Sequence, residues 1–476
     1  MDASEFRVYG KQLVDFMADY IENIRMRPVL PTVKPGYLHH LIPDHAPQTP
    51  EKWDDIMKDI ERVIMPGVTH WSSPYFHAYF PTGNTFPAIC GDMLSDILGV
   101  IGFSWASCPA ATELEMVVTD WLGKMINLPE EFLFSSKGTG GGVIQSTASE
   151  STLVSLFAAR CKTIAEIKET NENISKHEVM EKLVMYASDQ AHSSVEKASI
   201  LGAVSLRLLP GDKKQSLRGS TLAKAIETDI ANGKIPFYVV ATLGTTGCCA
   251  FDNLEEIGEV CAKYKIWLHV DAAYAGSAFI CSEFQYLMKG VEHAESYCFN
   301  PHKWLLVNFD CSVTLRHSNY VVNSNIVDPL YLKHEHQEVI PDYRNWHIPL
   351  GRRFRSLKLW FVMRMYGTEG MQAYVRKFIR LAHEFESMLL KDDHFEIIGD
   401  VIMGIVCFRL KGSDDLNKKL LQQVNDHGKI FIVPSQFEDS YYLRFSIGGV
   451  DPNLDDIICS WKEIQSQAME LLKNEK

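Results

Sequence analysis

From about residue 86 to residue 320 the chain alternates between two kinds of segment, and this constrains its fold more than any other feature. "KLVMYAS", "FYVVATLG", "IWLHVDAAY", "SYCFN" and "CSVTLR" are apolar runs of strand length. Helix-like segments separate them, and "TELEMVVTDWLGKMINL" upstream has helical periodicity. Such alternation predicts βα units around a mostly parallel sheet, an α/β fold. In an open sheet of that kind, ligands bind outside the carboxyl ends of the strands. The residues that follow each apolar run are therefore where chemistry is expected.

The flanks read differently. Residues 2–25 have the spacing of an amphipathic helix, with Phe6, Leu13, Phe16, Met17, Tyr20, Ile21 and Ile24 recurring every three to four positions. Pro28, Pro31, Pro35, Pro43, Pro47 and Pro50 punctuate a connector, and a second helix is expected at about 51–64. An aromatic-rich, loop-like stretch follows, "MPGVTHWSSPYFHAYFPTGNTFP". After about 360, two helical segments precede the strand-like "FEIIG", "GIVCFRL" and "YYLRFSIGG". The expected organisation is an N-terminal helical segment at 1–85, an α/β domain at 86–360 and a smaller α+β domain at 361–476.

Composition excludes some roles. The net charge is −13 with no dense Lys/Arg block, which argues against a nucleic-acid or anionic-membrane partner. The start "MDASEFRVYGKQLVDF" lacks the charge and hydropathy pattern of a secretory signal. No run of 18 apolar residues is present. Eleven cysteines fall without a framework, no CxxC occurs, and the adjacent Cys248 and Cys249 lack zinc spacing. Reduced thiols, a cytoplasmic protein and no metal are the expectation.

One lysine stands out. In "FNPHKWLLVNFD", Lys303 follows a strand-like run and precedes an apolar stretch. A lone lysine beside such a run usually snorkels, keeping its charge wet. The alternative is burial that lowers its pKa and frees a nucleophilic amine. Asp271 ends another run, "IWLHV", where an isolated aspartate is as often a turn or helix cap. Together, a lysine and a carboxylate at two strand ends suit pyridoxal phosphate. That cofactor takes a lysine for its Schiff base and a carboxylate for its pyridine nitrogen. Upstream, Gly138, Gly140, Gly141 and Gly142 form an expected flexible loop. Thr147 and Glu150 have capping-box spacing, and Ala148 and Ser149 open a helix whose amides can meet a phosphate. His192 and Thr246 follow two further runs.

The joint pattern resembles the group II pyridoxal-phosphate decarboxylases, most closely the animal aromatic-L-amino-acid (DOPA) decarboxylases. The resemblance runs nearly end to end. It is carried by "IMPGVTHW", "SPYFHAYFP", "GGGVIQ", "SDQAHSSVEKA", "ATLGTTG", "WLHVDAAYAGSAFIC", "NPHKWLLVNFDC", "DPLYLKH" and "IPLGRRFRS". It implies the aspartate-aminotransferase-like fold (fold type I) and pyridoxal 5'-phosphate as cofactor. By the same resemblance, Lys303 matches the Schiff-base lysine and Asp271 the partner of the pyridine nitrogen. His192 matches the imidazole stacked on the ring, and Ala273 the residue on its other face. Ala148, Ser149, Asn300 and His302 match phosphate and ring contacts, with Thr246 nearby. Trp71, Tyr79, Phe80 and Thr82 match the substrate end. Ile101 and Phe103 match residues reaching in from the neighbouring subunit of a homodimer. Tyr331 matches the catalytic tyrosine of a mobile loop at roughly 328–340. His334 and His336 on that loop are expected to be solvated, not metal ligands.

The expected reaction is decarboxylation of aromatic L-amino acids to amines. Aldehyde synthases of the same family remain an alternative, although the chain keeps Tyr79, Phe80, His192 and Tyr331. Histidine and tyrosine decarboxylases tend to carry serine where this chain has Gly351. "PTGNTFP" and "SVTLRHSN" depart from the usual wording of the DOPA enzymes. A catalytically inactive relative acting as a binding partner is the reading of a different class, and the intact Lys303, Asp271 and His192 argue against it.

Overall fold

The computed structural model describes residues 1–316, 320, 324, 327–336, 339–438 and 440–474. They form two compact units. One comprises Thr82–Arg380 with Gly399–Ile405; the other comprises Met1–Pro81, Leu381–Ile398 and Val406–Lys476. The stretches expected from the sequence, 1–85, 86–360 and 361–476, are runs of sequence. The units are groupings in space, and the first and third stretches both contribute to the smaller unit.

The larger unit is built on a seven-stranded sheet. Its strands are β1 (Gly141–Gln145), β2 (Leu183–Ser188), β3 (Ser205–Leu209), β4 (Ile235–Thr242), β5 (Trp267–Asp271), β6 (Ser296–Phe299) and β7 (Ser312–Arg316), in the order β1-β7-β6-β5-β4-β2-β3. Strands β3, β2, β4, β5 and β6 pair in parallel. Strand β7 runs antiparallel to both β6 and β1, so β1 shares the direction of the parallel set. The expected mostly parallel sheet is present. β2, β5 and β6 are buried along their full length, as strands covered by helices on both faces should be. Leu156, Ala159, Met185, Val195 and Val240 belong to one apolar core in this unit.

The helices of this unit are α3 (Phe86–Leu98), α4 (Pro109–Met125), α5 (Ala148–Thr170), α6 (Lys176–Met180), α7 (Ser193–Gly202), α8 (Gly219–Ala231), α9 (Leu254–Tyr264) and the short α10 (Pro301–Trp304). A long helical run, α11 (Ser356–Leu389), is broken at Gly367, which has φ 62°.

Two glycine expectations change. Gly141 and Gly142 do not sit in a flexible loop; they begin the buried strand β1. A Cβ on Gly141 would lie 2.4 Å from the Phe134 ring, and one on Gly142 2.6 Å from Thr119 Cβ. Glycine is there because neighbours press against the backbone. The expected capping box is also absent: Thr147 makes no side-chain cap to α5. Glu150 accepts instead from Ser146 N–H (3.2 Å), from the Ser146 hydroxyl (2.8 Å) and from Ile348 N–H (3.3 Å).

The smaller unit joins both flanks. α1 (Ala3–Glu22) is closed by a capping box between Asp2 and Glu5, and α2 (Trp53–Asp59) continues into a wider turn at Ile60–Ile64. A second, four-stranded sheet has the order β10-β11-β9-β8, from β8 (Phe395–Ile397), β9 (Ile405–Leu410), β10 (Val433–Phe437) and β11 (Ser440–Ser446). Helices α12 (Asp414–His427) and α13 (Leu454–Asn474) accompany it. Arg25 from the N-terminal stretch forks onto the buried Asp456 of α13 at 2.9 and 2.8 Å. His77 is fully buried, stacked at 3.8 Å on Phe445, with Nδ1 3.0 Å from the Ser446 carbonyl.

Candidate active site

The parallel strands deliver the predicted residues to one edge of the large sheet. β5 ends at Asp271, and its register partners are Thr242 at the end of β4 and Cys298 near the end of β6. Asn300, His302 and Lys303 follow β6, with Asn300 as N-cap and the other two inside α10. His192 follows β2 and caps α7. Ala148 and Ser149 open α5 beyond β1. Thr246 lies in the turn after β4, where Gly244 takes φ 88°. The cause is topological: each strand stops where the polar residue begins, and parallel pairing aligns the stops.

His192, Asp271 and Lys303 lie close enough to affect one another's charge. The protein around His192 pushes its pKa down by desolvation, Asp271 opposes that shift, and Lys303 reinforces it. His192 Nδ1 accepts from the Ser194 backbone N–H at 3.1 Å, so the neutral ring carries its proton on Nε2. His302 is buried, and burial with the adjacent Lys303 charge pushes its pKa down to about 3. Its Nδ1 accepts from Cys311 N–H at 3.0 Å, which leaves Nε2–H as donor. Asp271 Oδ1 accepts from Ala273 N–H at 3.0 Å, and the Ala273 carbonyl accepts from Asn300 N–H at 3.0 Å. Asp271 is thus fixed by the turn that follows it.

The expected cofactor can be tested against this edge. Asn300 Oδ1 and Thr242 Oγ1 are buried without a hydrogen-bond partner, a costly state that a bound polar group relieves. α5 begins without a side-chain cap, beside a cavity of about 340 Å³ lined by Ser149, Ser194, Lys197, the acidic Glu150 and apolar side chains including Leu153 and Leu201. An uncapped helix start suits a phosphate. A carboxylate, a lysine, two neutral imidazoles and orphaned acceptors together fit pyridoxal phosphate.

Other predicted residues are placed elsewhere. Ile101 and Gly351 meet: a Cβ on Gly351 would stand 3.7 Å from Ile101 Cγ2. The Phe103 carbonyl accepts from Arg344 N–H at 2.9 Å, and Gly102 N–H donates to the Arg352 carbonyl at 3.0 Å. Thr82 begins the larger unit. Trp71, Tyr79 and Phe80 belong to the smaller unit, where Trp71 and Tyr79 stack at 5.4 Å and Arg444 lies 4.7 Å over the Phe80 ring. Tyr331 stands on an exposed turn and is 81% accessible. Below it, Arg344 holds the Val327 carbonyl (2.8 Å) and Asp328 (3.0 Å), while His334 pairs with Asp342 at 2.8 Å. Residues 337–338 of the expected loop lie outside the described residues.

Sequence reasoning passed over the polar residues inside the strands. His269 on β5 and Ser296 and Cys298 on β6 sit behind Asp271. Their signal was a period of two, since Trp267, His269 and Asp271 share one face.

A parallel sheet with a lysine, a carboxylate and an imidazole at its carboxyl edge is the frame of a pyridoxal-phosphate enzyme. The model of the pyridoxal-dependent decarboxylase conserved domain matches residues 35–411, and the chain belongs to that family. It is 57% identical to the aromatic-L-amino-acid decarboxylase of Drosophila melanogaster over 472 residues, 99% of this chain and 92% of that one. It is 56% identical to the Mus musculus enzyme of the same name over 479 residues, all of both chains. Among solved structures, Oryza sativa TDC with PLP and tryptamine superposes with TM-score 0.95 at 35% identity, and Rhodiola rosea 4-hydroxyphenylacetaldehyde synthase with TM-score 0.92 at 38%. Each covers 99% of both chains. The fold is that of the fold-type-I decarboxylases, the cofactor is pyridoxal 5'-phosphate, and the chain is a carboxy-lyase.

Proposed function

We propose that this protein decarboxylates aromatic L-amino acids of the L-DOPA and 5-hydroxytryptophan class to the amine and CO2. The observation that carries this reading is the convergence of Lys303, Asp271 and His192 beyond the carboxyl ends of β6, β5 and β2, in a chain 56% identical along its whole length to an aromatic-L-amino-acid decarboxylase. When bound, pyridoxal 5'-phosphate supplies the electron sink for the bond that breaks as CO2 leaves.

The chain's own residues do the rest. Lys303 would hold the cofactor through its amine. Asp271 would pair with the ring nitrogen and keep it protonated. The uncapped start of α5, with Ala148 and Ser149, would take the phosphate, with Thr246, Asn300 and His302 as further contacts and Ala273 packing on the ring. His192 would stack on the ring. Its Nε2–H, fixed by the bond from Ser194, is a donor for the substrate carboxylate. We assign Trp71, Tyr79, Phe80 and Thr82 to the substrate end, Ile101 and Phe103 to the residues reaching in from the neighbouring subunit, and Gly351, beside Ile101, to side-chain preference. Tyr331 delivers the proton to the substrate Cα, and closing its turn excludes water and oxygen.

We also read the protein as a cytoplasmic homodimer of catecholamine biosynthesis, with residues 1–85 as the dimerisation segment. Large apolar side chains support the dimer. α1 buries no residue while Phe6 and Leu13 stay exposed, and α3 exposes Phe86, Met93, Leu94, Ile97 and Leu98. Eleven free cysteines suit a reducing compartment, and no described helix is long and apolar enough to cross a membrane.

Product analysis tests the reading. Purified protein is offered L-DOPA, 5-hydroxytryptophan, tyrosine and histidine, and amine is scored against aldehyde. Amine from the catechol and indole substrates is expected. Aldehyde with oxygen uptake would instead place the chain with the synthases, whose fold it shares. The Lys303→Ala variant should lose the bound-cofactor absorbance and all turnover.

A further inference from the structure

Behind Asp271 lies a row of four buried side chains bonded end to end. Trp267 Nε1 lies 2.8 Å from Ser296 Oγ, and Ser296 Oγ 2.8 Å from His269 Nδ1. His269 Nε2 lies 3.6 Å from Cys298 Sγ, and Cys298 Sγ 3.9 Å from Asp271 Oδ1. Trp267 is 1% exposed, Cys298, His269 and Ser296 are fully buried, and Asp271 is 4% exposed. The row crosses from β5 to β6 and back along one face, because His269 pairs with Ser296 and Asp271 with Cys298 in the parallel register.

Only one direction runs unbroken between the two ends. An indole N–H can only donate, and an ionised carboxylate can only accept. Ser296 Oγ takes the Trp267 proton and turns its own toward His269 Nδ1. The neutral imidazole then carries its proton on Nε2 and donates to Cys298 Sγ, whose S–H points at Asp271. We propose that Trp267, Ser296, His269 and Cys298 form a one-way hydrogen-bond wire that positions Asp271 and holds its carboxylate ready for the cofactor's ring nitrogen. His269, Ser296 and Cys298 are positioning residues, acting through Asp271.

Burial supports the protonation states the wire needs. It pushes the His269 pKa down to about 4, so the ring is neutral near pH 7. It raises that of Cys298 well above the ordinary thiol value, so the sulfur keeps its proton. Tyr238, stacked 6.1 Å from His269, leaves the wire undisturbed because its hydroxyl is engaged with Ser155 at 2.7 Å. Both donors to Asp271, Ala273 N–H and Cys298 S–H, go to Oδ1, which leaves Oδ2 for the ring. In a dry interior, aligned donors of this kind polarise one another.

The inference rests on the reading of Asp271 as the partner of the ring nitrogen, and its test separates the two. Neutron diffraction on crystals of the holoenzyme should place deuterium on His269 Nε2 and on Cys298 Sγ. Deuterium on His269 Nδ1 would overturn the wire, whatever Asp271 does. In solution, Cys298→Ala should raise the cofactor dissociation constant roughly ten-fold, and Cys298→Ser, which restores a donor, should stay within about two-fold of the parent. An alanine variant that binds like the parent, or a serine variant as weak as the alanine, would also overturn it. Failure of the Asp271 reading appears separately, as an Asp271→Asn variant with parental kinetics.

Discussion

At Tyr331 the expected chemistry turns on one phenolic proton. The substrate Cα has two fates after CO2 leaves: it takes a proton, or it reacts with dissolved oxygen. Tyr331→Phe keeps the ring and removes the donor, so protonation should slow by a general-acid factor of ~10²–10⁴ while the oxygen route does not. Oxygen uptake measured with amine yield on L-DOPA should show the shift toward aldehyde. A variant still making only amine would move the proton to another donor, with His192 first. Gly351→Ser is a second test at this scale. The added side chain meets Ile101 Cγ2 at 3.7 Å, an ordinary contact, so the variant should fold and move preference toward histidine by ~1–3 kcal/mol. Unchanged relative kcat/KM for L-DOPA and histidine would remove Gly351 from the substrate site. Residues at strand ends were legible in the sequence because each interrupts an apolar run, as Asp271 and Lys303 do. His269 and Cys298 were not, because inside a buried strand they look like core until the register shows what faces them.

Among the elements, α4, β1 and the segment before α11 meet at one carboxylate. Glu115 on α4 accepts from the β1 backbone at Ile144 N–H (2.7 Å) and pairs with Arg352, both side chains nearly fully buried. Arg352 also donates to the Ile144 carbonyl at 2.9 Å and lies over the Tyr343 ring. Glu115→Gln leaves a buried guanidinium without its counter-charge, which should cost about 3–5 kcal/mol in urea unfolding. A loss under about 1 kcal/mol would mean that water or Tyr343 replaces the carboxylate. The sequence showed neither this pair nor three of the strands. β1 was hidden by its glycines, β10 carries an internal Pro434, and β3 is partly exposed, so none reads as a plain apolar run. In the large sheet the legible strands, β2, β4, β5, β6 and β7, are unbroken apolar runs with mostly buried side chains, and in the small sheet β8, β9 and β11 were legible as well.

Across the whole molecule, four buried histidines weaken the fold in acid, against the smaller opposite contribution of Asp252, whose pKa burial raises to about 7. Burial lowers His77, His302 and His347 to about 3 and His269 to about 4, below the ~6.5 of an unfolded chain. Between those values the unfolded state binds more protons, so stability is fully present above about pH 6.5 and falls as pH drops toward the folded values. Each such histidine should cost about 2 kcal/mol by pH 5. The melting temperature should therefore drop between pH 7 and pH 5; a flat profile would show that these rings are not held neutral. Both flanking parts of the smaller unit were legible as helices and strands. Their union was not, because nothing in local periodicity ties Arg25 to Asp456. That tie has a consequence for biosynthesis. The two residues are 431 positions apart, so at ~5–20 residues per second a ribosome needs roughly 20–90 s between making one and making the other. Through that interval the nascent N-terminal arm can meet only its near neighbours, such as Trp53 and His70, while Arg25 lacks its carboxylate and Phe6 and Leu13 are open to whatever chaperone waits at the exit tunnel.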